Sequence, residues 1–465
     1  MAQPNGQLSS LVRLISEASL TVEAHFAKSS KPYVPSLDDV EPHPLDMMSD
    51  SMELRTAIQT IEGACAQLIA TVLRPSHTIM NMLEPACMDI AMAYKIPDIL
   101  RNRPAGVHIS EIAAKAGLEE LRLGRIMRLL ATKHIFREIS KDVFTNNRLS
   151  VQLLSDNPMS NLCRYNTQEL QGAIPFFTEV LGDKEWGYSN APNKTAFNKH
   201  TGYSKTMFDY YSGVDTKIGA EFGARFTVAM RGYAVASESI AVIHEFPWRD
   251  LPSGTSIVDI AGGVGYMTLE LAQRFPSLQL TLQDLPERIL EARHDLWPKE
   301  CPKAIEEKRI KFIPFNFFIQ PPVPNADIYY VSNMANSSSR THDWEDSRCI
   351  TILQNVRKAM NPHSRVLVHE CILQDVARVP EGKSLFKQAP VPLLPNYGVG
   401  RVRQYAMDVA MMAMFNSEER HLQSYIRLGE VAGLAFVKLW DFGESGIVEF
   451  RIAPETVQDT HQLKA

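Results

Sequence analysis

The sequence predicts an α/β protein: a doubly wound, mostly parallel sheet in the C-terminal half, preceded by an all-α winged-helix domain. Three observations predict it. From Thr255 onward, apolar strand-like runs alternate with helical stretches. A glycine loop, Ala261-Gly-Gly-Val-Gly265, follows the first of those runs and opens a helix. Between Met52 and Arg137 the apolar spacing is helical, and it closes on two short strand-like runs. At 465 residues the chain is too long for one core. The composition divides it into an N-terminal helix and arm (1–50), a winged-helix domain (51–150), a helical segment (151–250) and the sheet domain (251–465).

Each element has a local reason. Leu8, Leu11, Val12, Ile15 and Leu20 recur at helical spacing over residues 7–27, and the stretch from Pro32 to Asp50 turns to Pro, Asp, Ser and Glu, as an arm does. A first helix on such an arm suits packing on a second copy of the chain. In HISEIAAKAGLEELRLGRIMRLL, Ser110 is placed to cap one helix, Gly117 to end it, and Leu121, Ile126, Leu129 and Leu130 to carry the next. HIFREI and DVFTNN read as the wing, with His134 as a wing residue. The second helix mixes Glu119 and Glu120 with Arg122 and Arg125. It has no basic face, so a structural or dimerising role is expected over DNA binding.

Residues 150–250 are rich in aromatics at helical spacing, among them Phe176, Phe177, Trp186, Phe197, Phe208, Tyr210, Tyr211, Phe222 and Phe226. Such stripes build cores, and some of these side chains are placed to line a cavity. The strands that follow are SIVDIA, LQLTLQ, IKFIPF, DIYYVS, RVLVHECIL, LAFVKLWDF and GIVEFRIA. Helices are predicted over Tyr266–Arg274, Pro286–Asp295, Trp344–Met360, Arg403–Met414 and Glu418–Ala432. The last two strands have no helix between them, so the sheet should end in an antiparallel pair.

The totals exclude several classes. A net charge of −5 makes no case for nucleic acid or an anionic membrane. No apolar run reaches the roughly 18 residues of a membrane span, and no signal-peptide pattern opens the chain, so a cytoplasmic protein is expected. The six cysteines lack metal-ligand spacing and read as reduced; no metal is expected.

Glycines let a ligand approach the backbone at the carboxyl edge of a parallel sheet. The next strand ends in Asp284, about twenty residues on, where a carboxylate accepts the hydrogens of a ribose diol. A dinucleotide site would want glycines at alternate positions, GxGxxG, and this loop departs from that. The runs VDIAGGVGYMTLELAQRFP, LQDLPERI, HDWEDSRCITILQNVRKAM, RVLVHECIL, MFNSEER and AGL resemble the small-molecule O-methyltransferases of plant and fungal secondary metabolism. The resemblance runs from the winged helix to the end of the chain. It implies a Rossmann-like methyltransferase sheet, S-adenosyl-L-methionine as cofactor, a homodimer formed through the N-terminal helices, and a small-molecule secondary metabolite as substrate. The cofactor residues it implies are Asp259, Ala261, Gly262, Gly263, Gly265, Asp284, Leu285, Asn316 and Phe317. In that family the His of an HDW motif is the base and two acidic residues orient it. These correspond to His342, Glu370 and Glu419.

Three departures stand out. The stretch NMANSSSRT inserts roughly half a dozen residues between DIYYVS and the HDW motif, so Asn336 stands near the place of the family's His. A base misplaced by ~1 Å costs ~10²-fold in rate. Ala261 replaces the first glycine of the usual GGGxG, and Asn316 stands where an adenine-contacting Asp is common. Two readings follow. One is a pericyclase of the O-methyltransferase-like group, which dehydrates an alcohol and steers an Alder-ene or hetero-Diels–Alder cyclisation with donors from Asn336, Ser337, Arg340 and His342. The other is an active O-methyltransferase on a phenol or enol hydroxyl. The insertion tips the sequence slightly toward the first. A non-catalytic winged-helix binding protein ranks last. For either enzyme, Phe208, Phe226, Met230, Met407, Met411 and Met414 are expected to wall the substrate pocket. Met407, Met411 and Met414 share one helical face, with Met412 beside it, and methionine adapts to irregular ligands.

Overall fold

The computed structural model describes residues 7–44, 51–72, 84–236, 241–332, 346–380 and 382–454. They fall into two compact units. The first holds the described residues up to Ala241 together with Asp375–Glu418, and the second holds the remainder.

In the first unit, helix α1 (Gln7–Phe26) lies along α2 (Met52–Val72). Leu11 and Leu14 of α1 are buried with Ala64 of α2, Ala389, Leu393 and Tyr397. The buried stripe is narrower than the sequence pattern: Leu8, Val12 and Leu20 remain exposed. Gly63 makes this approach possible, because a Cβ there would run into the carbonyl of Tyr397.

After α3 (Glu84–Ala93), strand β1 (Val107–His108), helices α4 (Ile109–Ala116) and α5 (Glu120–Thr132), and strands β2 (Arg137–Ser140) and β3 (Val143–Thr145) form the winged helix. Its three strands are antiparallel in the order β1-β3-β2. Ile112, Leu123, Met127, Leu130, Phe136 and Phe144 fill its core. Gly117 ends α4 in the left-handed conformation, at φ 69°. The cap at the other end is not Ser110 but His108, whose Nδ1 accepts from the Ser110 N–H at 3.2 Å. The helix begins two residues earlier than the Ser signal implies. Glu119 caps α5, accepting from the Leu121 and Arg122 N–H groups at 3.0 and 2.8 Å, so one of the acids that break up the basic face is a helix cap.

The aromatic stretch forms a second core in this unit. Helices α6 (Pro158–Arg164) and α7 (Lys217–Ala236) pack together, and α10 (Val402–Phe415) adds Ala413 and Met414 to the cluster.

The second unit is a seven-stranded sheet of β4 (Ser256–Ile260), β5 (Gln279–Asp284), β6 (Ile310–Pro314), β7 (Ile328–Ser332), β8 (Arg365–Glu370), β11 (Leu434–Asp441) and β12 (Gly446–Ile452), in the order β11-β12-β8-β7-β4-β5-β6. Strands β4 to β8 are parallel, while β12 runs antiparallel to both β8 and β11. The central strands are buried nearly throughout, as parallel strands covered on both faces must be. Helices α8 (Tyr266–Arg274), α9 (Asp346–Ala359) and α11 (Leu422–Val431) connect them. The run RVLVHECIL is two strands. It breaks at Cys371, and β9 (Ile372–Leu373) leaves the main sheet to pair in parallel with β10 (Arg420–His421). The last helix accordingly starts at Leu422, because Arg420 and His421 are spent on β10. Among the described residues, no helix is long and apolar enough to cross a membrane.

Candidate cofactor and active site

Strand order reverses at β4: β5 and β6 lie on one side and β7 and β8 on the other. Ligands of open α/β sheets bind at such a switch point, beyond the carboxyl ends of the strands. The loop after β4 lies there. Ala261 continues the ladder through its N–H to Gln283 O at 2.8 Å, then takes φ 58°. Gly263 and Gly265 follow at φ 62° and 84°, and Gly265 opens α8. A Cβ on Gly263 would stand in open space, whereas one on Gly265 would lie 2.7 Å from Leu282 Cδ2 and 3.2 Å from Trp297 Nε1. The loop is therefore packed from below and open at its tip. Trp297 secures it further, donating to Val264 O at 3.0 Å.

Two carboxylates flank the loop. Asp284 accepts from the Gly263 N–H at 2.7 Å and the Leu285 N–H at 2.6 Å, one on each oxygen, so backbone amides set its orientation. Burial raises its pKa, and those two amides pull it back. Asp259 is 2% exposed. Its Oδ2 accepts a short hydrogen bond from Thr268, while Oδ1 has no partner among the described residues. Burial pushes this carboxyl up to about 7, against the Thr268 hydrogen bond and with help from Asp284. An open glycine tip, a fixed carboxylate and an unpaired buried oxygen make a cradle that fits a nucleoside with ribose hydroxyls.

Asn316 uses its side-chain oxygen to accept from the Phe318 N–H at 3.0 Å, closing a turn after β6. Phe317 holds its place through its carbonyl, which accepts from Asn355 at 2.8 Å, and its ring meets Phe318 edge-on at 4.6 Å. An Asp would make the same turn, so the substitution keeps the loop's shape.

Glu370 ends β8 and Glu419 directly precedes β10; both are 4% exposed. After burial, these two carboxylates are the next causes holding the Tyr425 hydroxyl well above the ordinary phenol range, and the parallel pairing of Arg420 with Ile372 draws the two acids' segments together. Beside them Arg420 binds Asp346 at 3.3 Å. The β9–β10 pair makes this convergence, and a two-residue strand leaves no periodic signal in a sequence. On β8, next to Glu370, His369 is buried between two hydroxyls: Tyr330 at 2.6 Å from Nδ1 and Ser445 at 2.9 Å from Nε2. Burial lowers its pKa to about 4, so it is neutral. Asn336, Ser337, Arg340 and His342 lie outside the described residues.

Of the pocket-wall residues, Phe208, Phe226 and Met230 are partly buried against the aromatic core of the first unit, where Phe208 stacks on Phe415 at 5.3 Å. Met407 is partly exposed, Met411 is 4% exposed and Met414 is wholly buried. Met414 is thus a core side chain, while Met407 keeps open surface. Sequence reasoning missed Thr268, Trp297 and Tyr425. Thr268 stands nine residues after Asp259, on the first turn of α8; a hydroxyl at that register was the available signal.

Residues 189–435 match the O-methyltransferase domain family and residues 76–156 the O-methyltransferase dimerisation domain family. The chain is 40% identical to 3-O-methyltransferase 2 of Phanerochaete chrysosporium over 95% of its own length and 97% of the relative's. It is 32% identical to an O-methyltransferase of Armillaria gallica, over 90% and 92% of the two chains. Among solved structures, LepI in complex with SAM superposes with a TM-score of 0.65 at 18% identity, covering 94% of this chain and 98% of that one, a likeness of fold. On the strength of both domain matches and full-length identity, the chain belongs to the S-adenosylmethionine-dependent O-methyltransferase family.

Proposed function

We propose that this protein is an active O-methyltransferase acting on a phenol hydroxyl of a small aromatic secondary metabolite, as a cytoplasmic homodimer. The observation that carries the reading is the loop after β4, whose Asp284 is oriented by two backbone amides beside an open glycine tip. The 40% identity to a relative named 3-O-methyltransferase 2 supports a hydroxyl acceptor. S-adenosylmethionine, when bound, supplies an electrophilic methyl group on a sulfonium. Asp284 would accept from its ribose hydroxyls. Ala261, Gly262, Gly263, Gly265, Leu285, Asn316 and Phe317 would shape the rest of its site, with Asp259 beneath the loop.

In this reading His342 takes the phenol proton, and Glu370 and Glu419 orient the base and favour its cationic form. Phe208, Phe226, Met230, Met407 and Met411 hold the aromatic substrate and keep water from it. The exposed Leu8, Val12 and Leu20 of α1, together with the dimerisation-domain match, support the homodimer.

The second reading keeps the cofactor site but replaces methyl transfer by dehydration and a pericyclic closure, with Asn336, Ser337 and His342 as donors. The observation favouring it is the inserted stretch before the HDW motif. The names of the full-length relatives, both O-methyltransferases, support methyl transfer as the first reading.

The deciding experiment is mass spectrometry of the purified protein with S-adenosylmethionine and a panel of phenols, enols and pyridone alcohols. A product heavier by one methyl, with S-adenosylhomocysteine formed, supports the first reading; loss of that product in His342→Ala assigns the base. Loss of water from the substrate, with the cofactor unconsumed, sinks methyl transfer.

A further inference from the structure

Inside the first unit, α6 does not stop at Arg164 but passes into a wide π-helical turn, Tyr165–Leu170. Turns of this kind concentrate at functional sites, because they re-aim side chains. This one points Tyr165 and Glu169 into the aromatic cluster, at 6% and 2% exposure. Arg225 of α7 meets Glu169 through two nitrogens, Nε at 3.0 Å and Nη2 at 2.7 Å, and both donate to the same oxygen, Oε1. A forked pair would use both carboxylate oxygens. Here Oε2 accepts no hydrogen bond among the described residues, and the Glu169 side chain is fully buried. The Tyr211 hydroxyl, on a residue 8% exposed, also makes none. The two belong to one neighbourhood. Phe226 packs 5.3 Å from Tyr165 and 5.4 Å from Tyr211, and the Glu169 charge is felt at the Tyr211 hydroxyl.

Each buried hydrogen bond left unmade costs ~1–3 kcal/mol. Two such groups together, amid rings, describe a site completed by a ligand. What completes it follows from the chemistry. A carboxylate oxygen only accepts, so its partner is an O–H or N–H; a phenol both donates and accepts. One hydroxyl can donate to Glu169 Oε2 and accept from Tyr211. Burial raises the Glu169 carboxyl, and the Arg225 guanidinium, with Arg164 further off, pulls it back. The surrounding Phe222, Phe226 and Phe208 suit a flat ring.

We propose that Glu169 and Tyr211 form a recognition pair for a hydroxyl on a neutral aromatic ligand, favouring rings that carry a hydroxyl over rings that carry none. This deepens the proposed function, since it names the substrate's chemistry, and rests on that reading for its role in catalysis.

The test is calorimetric binding of phenol and of toluene, a ring of similar size without a hydroxyl, to the full chain, without any methyl donor. Wild type should bind phenol about 10- to 100-fold more tightly than toluene, the effect of one hydrogen bond to a charged group. Tyr211→Phe keeps the ring, adds no charge and should cut that ratio about tenfold. Glu169→Gln should bring it toward one; if that variant melts for want of its ion pair, Tyr211→Phe decides. A wild-type ratio near one, or an undiminished ratio in Tyr211→Phe, overturns the proposal: the two groups are then satisfied by water alone. The binding readout is independent of turnover. Absent methyl transfer with the ratio intact defeats only the proposed function; methyl transfer with no ratio defeats only the recognition pair.

Discussion

Ala261 is among the residues other than glycine whose backbone takes a positive φ. An L-residue in the left-handed region carries ~1–2 kcal/mol of strain, and Ala261 sits at φ 58° at the start of the loop after β4. Ala261→Gly removes the strain but gives back ~0.5–1 kcal/mol through a more flexible unfolded chain. The expected net is a stabilisation of about 0.5–1 kcal/mol in urea unfolding. Ala261→Val should go the other way by more than ~1 kcal/mol, since a β-branched side chain tolerates that φ least. Equal stability of the two variants would show that the loop adopts another conformation in solution. The methyl of Ala261 therefore alters the energy of the loop and leaves its course intact, because the Ala261 N–H still completes the β4–β5 ladder.

At the scale of elements, the β4–α8 turn is held by a close approach that only glycine permits. Gly265→Ala would set a methyl against Leu282 and Trp297 at φ 84°. It should cost about 1–3 kcal/mol in urea unfolding and loosen S-adenosylhomocysteine binding measured by calorimetric titration. Two buried groups, on β4 and β8 with β7 between them, give the fold opposed pH slopes. His369 has a folded pKa of about 4 against an ordinary 6.5. Below pH 6.5 the unfolded chain takes up a proton that the folded chain refuses, so stability is lost as pH falls from about 6.5 toward about 4. Asp259 has a folded pKa of about 7 against 3.8. Between those values the folded chain holds a proton the unfolded chain has released, so stability is lost as pH rises through that window. Each slope reaches at most ~1.4 kcal/mol per pH unit. The profile of Asp259→Asn minus wild type should rise with pH between 4 and 7, and that of His369→Gln minus wild type should fall. Parallel profiles would refute the assignment of either group.

For the whole molecule, sedimentation should give twice the chain mass, as the dimerisation-domain match and the apolar side chains exposed on α1 imply. Val12→Asp should shift the equilibrium toward monomer without lowering the melting temperature of the monomer, because Val12 is exposed in the isolated chain whereas Leu11 is buried. A dimer indifferent to Val12→Asp would place the interface elsewhere. At this scale, too, the legibility of the fold can be judged. All seven strands of the main sheet stand where apolar runs marked them, and Tyr266–Arg274 is a helix at the marked ends. Such runs are legible because a strand covered on both faces must be apolar along its length. The loop after β4 and Asp284 were legible for a related reason: a strand, a turn with positive φ and a strand-end carboxylate are all local in sequence. The N-cap at His108 was not, because a ring nitrogen replaced the usual hydroxyl.

The sequence by itself determined the strand alternation, the switch-point loop, the winged helix and, through motif resemblance, the family. These depend on periodicity and on short-range backbone geometry, which neighbours along the chain dictate. Tertiary structure alone decided that the β9–β10 pairing draws the segments of Glu370 and Glu419 together, that Met414 is core while Met407 keeps open surface, and that Glu169 and Tyr211 are both buried with hydrogen bonds unmade. Those outcomes depend on which distant segments pack together, and burial of a given side chain is a property of that packing, not of its place in a pattern.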